Sequence, residues 1–137
     1  MRILIVDDDS EIRSVLEDLI KMKFFGSSVA IDIATAQDGE MALQMLQENG
    51  FDVVISDMRM PCMGGIELLK KVRKDEKLKS IPFFVMSSLF TNEDIREIAV
   101  LGAEYVQKPF FLDNSPLFGR LLENPLKSGV KNEERRC

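Results

Sequence analysis

Five short apolar runs alternate along this chain with amphipathic segments of helical period, and two of those runs end in aspartate. Ile3-Leu4-Ile5-Val6 runs into Asp7-Asp8-Asp9, and Val53-Val54-Ile55-Ser56 runs into Asp57. Near-continuous apolar runs of this length mark strands covered on both faces, not strands with one face in water. The pattern predicts strands at about 2–7, 29–35, 52–57, 82–87 and 103–107.

Between the strands the period changes. Ile12, Val15, Leu16, Leu19 and Ile20 form one helical stripe, with Ser10 as the expected N-cap and Asp9 left as a surface or capping residue. Ala42, Met45 and Leu46 form a second stripe, closed by Asn49-Gly50. Ile66, Leu69 and Val72 form a third. Ile95, Ile98, Ala99 and Leu101 form a fourth, opened by Thr91 or Asn92 and ended at Gly102. A fifth helix starts at Ser115-Pro116, carries Gly119 and stops at Asn124-Pro125, so it is short.

Strict alternation of strand and helix implies an α/β fold: a doubly wound, flavodoxin-like parallel sheet of five strands with helices on both faces. The strand order 2-1-3-4-5 sets the first and third strands side by side and brings Asp7-Asp8 to Asp57. At 137 residues the chain fits one domain, expected over roughly 1–124, with a polar tail or the start of a linker over 125–137.

Composition narrows the chemistry. A net charge of −5 argues against nucleic acid as a direct ligand and suits a cation or a basic partner surface. Histidine is absent, which removes imidazole metal sites and any serine–histidine or cysteine–histidine nucleophile. The two cysteines, Cys62 and Cys137, are too few for a disulfide scaffold. With no membrane-length apolar stretch and no signal-peptide core, the expected location is the cytoplasm, off the membrane.

Two strands delivering carboxylates to one sheet edge make a site for a hard divalent cation. Asp8 and Asp57 are the expected direct ligands, with Asp7 bound directly or through water. Alone, Asp7-Asp8-Asp9 reads as a solvated acidic turn. Its position after a buried strand, opposite a second strand that ends in an acid, changes that reading. Lys108, after the fifth strand, can meet a phosphoryl oxygen as a compact charge, although a single lysine is by default a solvated one. Ser87, at the end of the fourth strand, can donate one hydrogen bond into the same space or cap the next turn. Tyr105 reads by default as a half-buried strand aromatic.

Val6-Asp7-Asp8, Ser56-Asp57-Met58 with Met60-Pro61 and Gly65, Met86-Ser87 and Lys108-Pro109-Phe110 together resemble the receiver domain of bacterial two-component response regulators. The likeness runs from residue 3 to about residue 122. It implies that Asp57 accepts a phosphoryl group from a sensor histidine kinase or phosphotransfer protein. It implies Mg²⁺ held by Asp7, Asp8, Asp57 and the backbone carbonyl of Arg59, with Ser87 and Lys108 on the phosphoryl oxygens. Pro109 would follow a cis peptide bond. Ser87 and Tyr105 would move inward together and remodel the face of helix four, strand five and helix five for a downstream protein target. Catalysis would be self-directed phosphotransfer and autodephosphorylation, not turnover of free substrates.

Departures from the family pattern add expectations. Gly64 stands where aspartate is frequent and loosens its loop. Serine at position 87 keeps the hydroxyl of the commoner threonine. Arg59 and Leu89 occupy places that influence phosphate lifetime, and their bulk is expected to slow self-dephosphorylation. The short fifth helix points to a monomer. Two other readings compete: an aspartyl-phosphate hydrolase acting on free substrates, for which there is no room for a cap domain, and a receiver-like interaction domain that is never phosphorylated, against which the set of Asp8, Asp57 and Lys108 argues.

Overall fold

Each apolar run divides its side chains between two layers, because successive residues of a strand face opposite sides of the sheet. The computed structural model describes residues 1–108. β1 (Arg2–Val6), β2 (Asp32–Ala36), β3 (Val53–Asp57), β4 (Phe83–Ser87) and β5 (Glu104–Gln107) form one parallel sheet in the order β2-β1-β3-β4-β5. Ile3 and Ile5 of β1 and Ile55 of β3 pack under α1 (Ser10–Lys23), against Leu16, Ile20 and Phe24. Leu4, Val6, Val54 and Val85 face the other way. There they meet α2 (Gly39–Glu48), α3 (Gly65–Lys74) and α4 (Asn92–Val100). Burying each such side chain contributes about 2 kcal/mol, which fixes the strand ends where the acids sit.

The α/β doubly wound class, the strand order and the helices on both faces therefore agree with the sequence expectation. Four local details differ. The first helix is capped by Asp9, whose side chain accepts from the Glu11 N–H, and Ser10 is already helical. A carboxylate at that end also meets the positive pole of the helix dipole, which a hydroxyl does not. The second strand begins at Asp32, not near residue 29. Its ladder starts where Arg2 pairs with Asp32, and Val29 and Ile31 pack on the α1-side core without joining it.

The stripe on α4 is also narrower than expected. Only Ile98 is fully buried, Ile95 is partly buried and Ala99 is exposed. The helix is opened by a reciprocal capping box between Thr91 and Asp94. On α3, Leu68 joins Leu69 and Val72 in the core, while Ile66 is only partly buried. The expected fifth helix, the Pro109 peptide and the tail over 125–137 lie outside the described residues.

Candidate phosphoryl-acceptor and cation site

The ends of β1 and β3 lie side by side, with Val6 paired to Ser56, so Asp7 and Asp57 leave the sheet as neighbours. Both are buried, at 1% and 9% exposure, whereas Asp8 is exposed. One carboxylate oxygen from each of the three lies within 4.8 Å of the others. Lys108, following β5, reaches across β4 to this edge. Its Nζ donates to Asp57 Oδ1 at 3.2 Å and stands 3.5 Å from Asp7 Oδ2.

Two contacts fix the turn after β1. The Asp9 N–H donates to Asp7 Oδ1 at 2.9 Å, and Arg13 Nη1 donates to the Asp7 carbonyl oxygen at 2.7 Å. Arg13 was not among the residues singled out from sequence. The signal was available: a basic side chain one turn inside a helix that starts just after the acids can fold back onto their backbone. After β3, Gly65 N–H donates to the Met58 carbonyl, and a Cβ on Gly65 would stand 2.3 Å from the Asp57 carbonyl oxygen. Only glycine permits that approach.

The electrostatics are unbalanced, with one ammonium facing three carboxylates. Burial pushes the Asp7 carboxyl above its ordinary value, and the charges of Asp57 and Asp8 push the same way; the Asp9 N–H and Lys108 oppose them. Burial also raises Asp57, against the pull of Lys108 and with help from Asp8. Asp7 Oδ2 is buried and accepts no hydrogen bond, and Lys108 Nζ at 3.5 Å faces it only as an ion pair. A buried, orphaned carboxylate oxygen in an all-oxygen donor set fits a hard divalent cation, which would neutralise the excess charge.

The remaining sequence candidates are placed as follows. Ser87 ends β4 and is 5% exposed, and its hydroxyl donates to the Leu89 carbonyl at 2.9 Å. Arg59 is exposed two residues beyond Asp57, and Leu89 is 66% exposed. Tyr105 lies on β5, 46% exposed, with its ring 5.2 Å from that of Phe90.

The sequence over residues 3–118 matches the family described as the response regulator receiver domain. The chain belongs to that family. Among relatives of this receiver domain, the chemotaxis protein CheY-3 of Vibrio cholerae is 40% identical over 111 residues, covering 80% of this chain and 82% of that protein. The chemotaxis protein CheY of Pseudomonas aeruginosa is also 40% identical, covering 80% and 86%. The solved Francisella response regulator 1452 receiver domain superimposes with a TM-score of 0.74 at 33% identity, covering 93% of this chain and 98% of that one. The chemotaxis response regulator CheY4 of Vibrio cholerae gives 0.68 at 30% identity, covering 93% and 97%. The protein is thus a CheY-like receiver domain, a signalling module and not a conventional enzyme. Among the described residues no helix is long and apolar enough to cross a membrane.

Proposed function

We propose that Asp57 accepts a phosphoryl group from the phosphohistidine of a sensor kinase or phosphotransfer protein, in a Mg²⁺-dependent reaction that resets what the domain binds. The observation that carries this is the convergence of Asp57, Asp7, Asp8 and Lys108 at one sheet edge. An Asp57 carboxylate oxygen forms the new bond to phosphorus, the phosphorus–nitrogen bond breaks, and its electron pair returns to the donor imidazole. Asp7, Asp8 and Asp57, with the Arg59 carbonyl, would hold the cation. When bound, Mg²⁺ would draw charge from the phosphoryl oxygens. Lys108 exchanges its contact with Asp57 for one with a phosphoryl oxygen, and the Ser87 hydroxyl donates to another. Positioning and charge neutralisation are what this transfer needs, and the cluster offers both.

The product carries about −1.5 to −2 charge beside a loop that connects to α4 and β5. That added charge is the input to a change of partner binding through the α4–β5 face, in which Ser87 and Tyr105 move together. Arg59 and Leu89, exposed on the two loops that border Asp57, would slow the water that ends the signal. A phosphohistidine donor and the exposed free thiol of Cys62 both suit a cytoplasmic setting.

The test is incubation of the full chain with acetyl phosphate and Mg²⁺, followed by intact mass. The expected result is a gain of one phosphoryl group, abolished in Asp57→Asn. Steady release of inorganic phosphate without a labelled intermediate would instead favour a hydrolase, and no label at all would leave an interaction domain that is never phosphorylated.

A further inference from the structure

The loop after β4 is tied to β5 at successive points. The Lys108 N–H donates to the Ser87 carbonyl at 2.9 Å, and Gln107 Nε2 donates to the Ser88 carbonyl at 3.4 Å. The Ser87 hydroxyl is turned onto its own loop. It donates to the Leu89 carbonyl at 2.9 Å and accepts from the Leu89 N–H at 3.3 Å. The next residue, Phe90, is partly buried against the core under α2 to α4. Its ring meets that of Tyr105 with centroids 5.2 Å apart and planes tilted by 60°. That separation and tilt lie in the attractive range for aromatic pairs. Tyr105 is nonetheless 46% exposed, so Phe90 supports it from one side while the other faces water.

We propose that Phe90 is a positioning residue that holds Tyr105 in its outward place and thereby keeps the Ser87 hydroxyl on the Leu89 backbone until Asp57 is modified. The inference rests on the reading of Asp57 as phosphoryl acceptor. For the Ser87 hydroxyl to reach a phosphoryl oxygen it must release the Leu89 carbonyl. That displaces Leu89 and the residue joined to it, so the ring supporting Tyr105 shifts as the serine turns. Run backwards, the ring contact opposes the turn. A residue that stabilises only the resting arrangement lowers the apparent affinity for any phosphoryl group by the population it withholds.

The chain offers its own reporter, because Tyr105 is its single tyrosine and tryptophan is absent. Tyrosine emission of the full chain is quenched with acrylamide, with and without beryllium fluoride and Mg²⁺. In wild type the mimic is expected to reduce the quenching of Tyr105. In Phe90→Leu, which keeps apolar bulk but loses the ring, resting quenching should already differ from wild type. The mimic should bind it about two- to tenfold more tightly, the span an aromatic pair of this kind supports. Phe90→Tyr, which keeps the ring, should bind the mimic with wild-type affinity, and tightening in this variant as well would count against the ring contact. Identical quenching and identical mimic affinity in wild type and Phe90→Leu would overturn the proposal. If wild type takes no label on Asp57, the phosphoryl-acceptor reading fails by itself, while the resting-state quenching comparison still decides the role of Phe90.

Discussion

At the scale of single residues, Asp7 and Asp57 are held where ionisation is costly. Burial raises both carboxyl groups above their ordinary value of 3.8, so the folded state binds those protons more tightly than the unfolded chain does. Stability then falls as pH rises from the ordinary carboxylate value through the raised folded value, and the whole cost remains above it. Asp57→Asn is therefore expected to melt higher than wild type at pH 7 in the presence of a chelator. The gap should close as the pH falls to the ordinary carboxylate value, below the raised folded one, so that the wild-type carboxyls are already protonated in the folded state. Thermal melts followed by circular dichroism across that range check the sign. Equal melting at pH 7 would mean that Lys108 already balances the site. The identities of these aspartates were legible in the chain; their burial, and the Asp7 Oδ2 that accepts no hydrogen bond, were not, because both depend on what α1 and the neighbouring strand ends exclude from water.

Among the elements, the segment between β3 and α3 is held by backbone approach. The Gly65 position leaves no room for a Cβ, since the nearest atoms are the carbonyl group of Asp57 and the Cα of Met58, neither of which can swing aside. Gly65→Ala should cost about 1–3 kcal/mol, as overpacking does, and should slow labelling of Asp57 by displacing its carbonyl. Chemical denaturation and acetyl phosphate kinetics read the two effects separately. An alanine variant as stable as wild type would show that the loop relaxes freely. The same loop carries Cys62 at φ 69°, a left-handed conformation that a non-glycine side chain adopts at a cost. Helix periodicity found all four described helices, yet it placed the first cap one residue late and overfilled the α4 stripe. Period alone does not say how wide a face the neighbouring layer covers, and adjacent aspartate and serine are both good caps.

For the whole molecule, the excess of carboxylates over ammonium would make binding of a cation at this edge and folding one linked equilibrium. A divalent ion that binds only the folded state at a hundred times its dissociation constant adds about 2.7 kcal/mol. Millimolar MgCl₂ should accordingly raise the melting temperature of the wild type, and Asp8→Asn, which removes an exposed ligand candidate without opening a cavity, should blunt the rise. A melting temperature indifferent to MgCl₂ in differential scanning calorimetry would remove the cation from the account.

The chain alone determined the alternation of strand and helix, the parallel sheet, and the aspartates, serine and lysine that follow its strands at the carboxyl edge, because periodicity and strand-end position are local properties. Only the tertiary structure decided how those groups meet. It set Lys108 between Asp57 and Asp7, folded Arg13 back onto the first acidic turn, and put the Phe90 ring behind Tyr105. Those pairings join residues from separate elements, and their distances follow from how the layers pack, which no single stretch of sequence encodes.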